Sequence, residues 1–355
     1  MKFQGPVSLI LDTDMGNDID DALALAMIHA LQSRGECKLL GVALSKDHAY
    51  APVYVDILNT FYGRGDIPVG VVVDGVTPDD GNFIRQVAEL TDAGKPRYAR
   101  TRKADAYPEA VGLMRRLLAG QPDRSVVPVM IGFSTNMARL LDSGPDDFSE
   151  LNGRELFDQK VSHVVMMAAN FADDVRDNPT LESREYNIIK DVPSAKAFIA
   201  GCPRPIVFSG VEVGWALMYP GSETEHLYNW VPHHPVADAY RFYRPMPYDR
   251  PTWDLTAVLE AVRPHEDYFQ RSQHGTAEVD DEGVVRFRPE ADGPHCYLTV
   301  DEARQPQIIQ TMVELVTQPN QRGAIHITAN LGKHPVRNAQ SRKALAGTRT
   351  DNTTP

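Results

Sequence analysis

The sequence predicts an α/β protein: a mainly parallel, Rossmann-like open sheet with flanking helices and a small antiparallel appendage near the C-terminus. Three observations lead there. Short apolar runs alternate with helix-like segments up to about residue 210. Each run leaves into a loop or a helix. Beyond residue 210 the rhythm changes, first to a stretch rich in Pro, Tyr, His and Arg, then to an alternating segment punctuated by turns. Strands joined through helices pair in parallel and are covered on both faces, so their segments read as continuous apolar runs.

In chain order, the strand candidates are 7–11, 39–44, 69–73, 126–131, 161–168 and 205–208, each a short apolar run. The helix candidates between them are 22–32, 52–61, 107–119 and 194–200. Residues 219–252 read as short helices and loops, and 276–300 alternates around the turns DDEG and EADG as an antiparallel appendage. No internal repeat and no linker interrupts the chain, so residues 1–332 are expected to form a single domain. Residues 333–355, polar and basic, read as a loose C-terminal tail.

Composition narrows the function classes. The chain has 355 residues, 42% hydrophobic and 24% charged, enough for a substantial core. A formal net charge of -12 without a basic stripe argues against a nucleic-acid partner. No apolar run approaches the ~20 residues needed to span a bilayer, which argues against a membrane role. Cys37, Cys202 and Cys296 are widely spaced and odd in number, fitting neither a disulfide framework nor a zinc pattern. They read as reduced residues of a cytoplasmic protein, and the opening MKFQGPVSLILDTD is too short an apolar stretch to be a signal peptide.

The chemistry concentrates in LILDTDMGNDIDDALALA, residues 9–26, which carries Asp12, Asp14, Asp18, Asp20 and Asp21 between a strand and a helix. Two like charges about 4 Å apart repel by ~4 kcal/mol in a typical protein surface environment. Such a cluster needs a compensating cation or raised pKa values. Helix capping explains one or two of Asp18, Asp20 and Asp21, but not Asp12 and Asp14 at the strand end. An EF-hand loop fails, because a strand precedes it, Asn17 stands where glycine is needed and Leu23 where an acid is needed. A phosphatase of the haloacid dehalogenase type would use Asp12 as nucleophile and Asp14 as acid, with magnesium, and would leave Asp20 and Asp21 unused.

A strand followed by DTDMGNDIDDALAL resembles the opening motif of the nucleoside hydrolases, inosine-uridine preferring N-ribohydrolases that use calcium. Their commonest form, DTDPGIDDA, is two residues shorter. The resemblance continues in order from about residue 7 to 264. VMIGFSTNMARLL (129–141) is similar to the GPLTN segment, implying a Thr135 carbonyl on the metal. VVMMAAN with REYNIIKDVPSAKAFI (164–170, 184–199) is similar to MGG…EFN…DP-x-AA. PTWDLTAVLEAVRP (251–264) is similar to the helix start carrying a distant metal-binding aspartate, here Asp254. Segment 41–71 fits the second strand, helix and third strand, where Asp47 or His48 reaches the ribose or simply serves the loop.

The resemblance implies hydrolysis of the N-glycosidic bond of ribonucleosides, releasing free base and ribose. Ca2+ would be held by Asp14, Asp21, Asp254 and Thr135, with Asp14 as the catalytic base. Asp20, Asn178, Glu185 and Asn187 would hold the ribose, Asn178 at a spacing one longer than usual. Asp12 and Asp18 would be supporting groups. A homodimer or homotetramer is expected. Glu185 and Asn187 alternate around Tyr186 on what reads as an extended segment. Trp253 stands where many members have a histidine that protonates the departing base; it either stacks on the base or packs the helix start. Tyr240, Tyr243, Tyr248 and His234 are close in sequence and read as packing or surface residues. A binding protein that has lost catalysis is the alternative outside enzymes.

Overall fold

The computed structural model describes residues 5–103 and 106–320. Residues 333–355, read above as a tail, lie outside the described residues. The sheet strands are β1 (Val7–Thr13), β2 (Cys37–Lys46), β3 (Val69–Val76), β4 (Val126–Met130), β5 (Val164–Met167), β6 (Ile206–Ser209), β7 (Gly275–Val279), β8 (Val285–Pro289) and β9 (His295–Thr299). Their spatial order is β8-β7-β9-β6-β5-β4-β1-β2-β3, and Gln270–Arg271 adds a short strand on β9. Pairing is parallel from β3 across to β9, and antiparallel where β7 meets β8 and β9 and where Gln270–Arg271 meets β9.

All six strands expected from the apolar runs are present. The antiparallel appendage is present too, but it is not separate from the sheet. His295, Cys296 and Tyr297 of β9 pair in parallel with Ile206, Val207 and Phe208 of β6, so the hairpin β7–β8 extends the central sheet at one edge. Burial explains the continuity: Cys296 and Leu298 face one side of the sheet core and Tyr297 the other.

The helices that matter here are α1 (Asp20–Ser33), α2 (Tyr50–Phe61), α3 (Ala110–Ala119), α4 (Thr135–Asp142), α5 (Gly153–Lys160), α6 (Tyr186–Lys190), α7 (Val192–Gly201), α8 (Val211–Ala216), α9 (Pro235–Tyr243), α10 (Trp253–Val262) and α11 (Gln305–Val316). Alternation along β1 sorts its side chains between the two faces: Leu9 and Leu11 join a core with α1, α2, α10 and α11, while Ile10 joins one with α3, α4, α5 and α7. Helix α1 is buried from Asp20 to Leu31, which accounts for the all-round apolar ALALAMI sequence.

Strand β1 has β2 on one side and β4 on the other, each reached by a crossover. This is the point where strand order reverses, and the carboxyl ends there open a crevice that helices cannot fill. The acidic loop leaves β1 into that crevice.

Candidate active site

A cavity of about 400 Å³ lies at this point, lined from seven parts of the chain. The acidic loop contributes Asp14, Asn17, Asp18, Asp20 and Asp21, and the start of α10 contributes Trp253 and Asp254. Ile131 and Met167 come from the ends of β4 and β5. Arg184, Glu185, Tyr186 and Asn187 surround the start of α6, and Val211, Tyr243 and Arg250 close the far side.

The first turns of α1 and α10 face each other across it. The Asp254 backbone N–H donates to Asp20 Oδ2 at 3.1 Å, and the Thr13 hydroxyl donates to Asp21. Both helix N-termini therefore point partial positive charge at the carboxylates. The aspartates do not cap α1: its N-cap is Ile19, without a side-chain cap bond. One ligand oxygen from each of Asp20, Asp21 and Asp254 fits within 4.8 Å of the others, and all three residues are buried. Burial, and then the neighbouring carboxylates, push the pKa values of Asp21 and Asp254 well up; Asp20 is raised in the same order, with Arg250 opposing. Asp14 is raised to about 6 by burial, against the bond from Asn17.

The neighbouring cations are already engaged: Arg184 donates to the Leu181 and Glu282 carbonyls. Lys46, its side chain fully buried, donates from Nζ to Asn17 Oδ1 and to the Thr77 carbonyl, both at 2.7 Å. Asn17 in turn donates from Nδ2 to Asp14 Oδ2 at 2.7 Å. Arg250 forks onto Asp18, Nε to Oδ1 at 2.9 Å and Nη2 to Oδ2. Asp20, Asp21 and Asp254 have no ion pair among the described residues, and three buried carboxylates converging without a cation form a donor set suited to a hard divalent ion.

Asp14, Asp20, Asp21, Glu185, Asn187, Trp253 and Asp254 thus come together as the sequence led us to expect. Glu185 and Asn187 meet by a different route, however. The segment is not extended: Glu185 is the N-cap of α6, its Oε1 accepting from Asn187 N at 2.7 Å and Oε2 from Ile188 N at 3.1 Å. Asn187 is fixed from within the first turn, its Nδ2 reaching the Ile131 carbonyl at 3.5 Å and the Met167 carbonyl at 3.4 Å.

Two expected residues lie elsewhere. Thr135 opens α4 and donates its hydroxyl to Asp191, and it does not line the cavity. The residue that does is Ile131, four positions earlier, at the end of β4. Gly132 lets this segment approach: a Cβ there would lie 2.4 Å from the Asp14 nitrogen. Asn178 is exposed in the loop after a short turn of helix, its N–H bonded to the Val175 carbonyl. One register shift in an aperiodic loop is enough to remove it.

Asp47 and His48 serve their loop: Asp47 accepts from Gly75 N at 2.9 Å and His48 meets Asp80 at 2.8 Å. Tyr240 and Tyr248 stack on each other, and His234 caps α9, whereas Tyr243 does line the cavity. Asp12 is fully buried, held by Asn136 at 3.4 Å and outside the cavity lining, which leaves no access for a phosphatase nucleophile. Trp253 both lines the cavity and packs: its Nε1 donates to the Val211 carbonyl at 2.9 Å and its ring meets Trp215 edge-on.

Arg250, Asp18 as its counter-ion, Asn17, Lys46, Ile131 and Tyr243 were missed as site residues. The two residues by which the loop exceeds DTDPGIDDA coincide with this pairing of Asn17 and Asp18, and that excess length was the signal available.

The comparisons agree with this architecture. Solved structures with the same fold include a plant nucleoside hydrolase (TM-score 0.63, 19% identity, covering 88% of this chain and 100% of that one). A purine-preferring ribonucleoside hydrolase from Gardnerella vaginalis gives 0.63, 18%, 88% and 99%, and an inosine-guanosine nucleoside hydrolase gives 0.65, 19%, 87% and 98%. No curated protein sequence matches significantly. The sequence model of the inosine-uridine preferring nucleoside hydrolases matches residues 9–338, nearly the whole chain. The chain therefore belongs to the inosine-uridine preferring nucleoside hydrolase family and is a hydrolase of N-glycosyl bonds.

Proposed function

We propose that the protein hydrolyses the N-glycosidic bond of ribonucleosides with Ca2+ as cofactor, releasing free base and ribose. The observation that carries this reading is the convergence, in one cavity, of an unpaired carboxylate triad with a second polar set on α6. Asp21 and Asp254 of that triad would hold the ion; Asp14, which lies outside the triad, would join them as the resemblance implies, with Asp20 at their edge and the Ile131 carbonyl in the place expected of Thr135. Calcium is the hard cation whose oxygen-rich, flexible coordination suits such a set, and when bound it orients water and eases its deprotonation.

The protein's own groups do the rest. Asp14 accepts the proton of the attacking water as general base; its Oδ2 is pinned by Asn17, which fixes the carboxylate plane. Glu185 and Asn187, held by backbone bonds at the start of α6, accept and donate to ribose hydroxyls together with Asp20. Their rigidity favours one sugar pucker, and an oxocarbenium-like transition state gains from it. Ile131, Met167 and Val211 give the cavity part of its apolar lining. A homodimer or homotetramer in the cytoplasm belongs to the same reading. The test is release of free ribose from a panel of nucleosides, with calcium and with chelator. Release that calcium restores after chelation supports the reading; release of phosphate from nucleotides without ribose, or of nothing, overturns it.

A further inference from the structure

Where a proton donor for the departing base is expected the chain has Trp253, and Arg250 lies against its ring. The Arg250 guanidinium carbon lies 4.9 Å from the Trp253 ring centre and 5.2 Å from that of Tyr243. Arg250 is 8% exposed and lines the cavity beside both rings. Its Nε and Nη2 are committed to Asp18, which leaves Nη1 without a partner among the described residues. The indole edge is pressed on α8, where a Cβ at Gly214 would lie 2.1 Å from Trp253 Cδ1. One part of the ring thus carries the guanidinium and another the helix, so Trp253 is occupied before any base arrives.

We infer that Arg250 is the leaving-group residue: oriented by Asp18 and the Trp253 face, it donates from Nη1 to the base as negative charge develops there. This inference rests on the N-ribohydrolase reading above. An arginine keeps its proton at any working pH, so its contribution is a fixed charge and a hydrogen bond, not proton transfer. The C1′–N bond breaks with its electron pair going to the base nitrogen. Water adds its oxygen to C1′ and gives a proton to Asp14, and the base takes a proton from solvent on release. Trp253 is a positioning residue that acts through Arg250.

The test compares inosine and uridine, whose bases are poor leaving groups, with p-nitrophenyl riboside, whose phenolate needs little assistance. Arg250→Met should lower kcat/KM on both nucleosides by about 10²–10³-fold, the usual effect of removing one charge-stabilising donor. The loss on p-nitrophenyl riboside should be at least tenfold smaller. Trp253→Ala should show the same substrate pattern, and the double variant should fall no further on inosine than Arg250→Met alone. If Arg250→Met does not fold, Arg250→Lys decides, since it keeps charge but not the fork and must show the same selectivity. Equal losses on all three substrates would overturn the inference, leaving Arg250 as an anchor for the Asp18 loop. A wild type that cleaves none of the three overturns the N-ribohydrolase reading itself, and the inference with it.

Discussion

Asp14 sits where two demands meet: its carboxylate must face the reacting water, yet it is 4% exposed in a cavity lined by five other carboxylates. Asn17 reconciles them by holding one oxygen and leaving the other to the cavity. Asp14→Asn should therefore fold normally and lose about 10²–10⁴-fold in turnover, the typical weight of a general base. Near-normal turnover would remove Asp14 from the chemistry. The ribose set makes a separate prediction. Glu185 and Asn187 are 5% and 6% exposed, so a substrate lacking the hydroxyl they hold leaves polar groups unpaired in a dry site. The wild type should reject 2′-deoxyinosine by at least about tenfold in kcat/KM, and equal efficiency on both sugars would contradict the clamp. At this scale the sequence was legible where acidic side chains crowd one short motif, as Asp14, Asp20 and Asp21 do. Ile131 was not, because a backbone carbonyl belongs to every residue type and leaves no compositional trace. Arg250 was not, because its partner Asp18 is 232 positions away.

Elements were read more securely than their junctions. All six strands and the four named helices were found, because apolar periodicity reports which face is buried, and burial is what the sheet imposes. Loops obey local bonding instead, and there the reading slipped: the segment before α6 became a helix cap, and Asn178 turned outward. The junction of α8 with α10 shows how tight such contacts are. With 2.1 Å between a Cβ at position 214 and Trp253 Cδ1, Gly214→Ala forces the two helix starts apart. We expect a loss of roughly 1–3 kcal/mol in unfolding free energy, the usual effect of overpacking, read as a lower denaturation midpoint at unchanged slope. An unchanged midpoint would mean that the Trp253 ring can move freely.

For the whole molecule, the active end of the sheet is an electrostatic liability when no ion is bound. Glu185 and Glu212 are each pushed up to about 7 by burial, against about 4.3 for a free glutamate. The native state then holds more protons than the unfolded chain between those values, so stability falls as pH rises through about 4 to 7 and levels above. The Tm of chelator-treated protein should decline from about pH 5 to 7.5. Calcium should raise Tm more at pH 7.5 than at pH 5, because protons compete for the same carboxylates; at about 100 times its Kd it adds ~2.7 kcal/mol. A chelator-treated protein that grows more stable across this range would contradict the account. No helix among the described residues is long and apolar enough to cross a membrane.

The lengthened loop after β1 carries a consequence for how this branch of the family diverged. Asn17 answers Lys46 on one wall, and Asp18 answers Arg250 on the other. Trimming the loop to the nine-residue form would remove the carboxylate that pairs Arg250 and one of the acceptors of Lys46, while adding it to a shorter relative would introduce a carboxylate with nothing opposite. Insertion and cations should therefore be inherited together. Relatives with the long loop should carry a basic side chain at both matching positions, relatives with the short loop at neither, and intermediates should be rare.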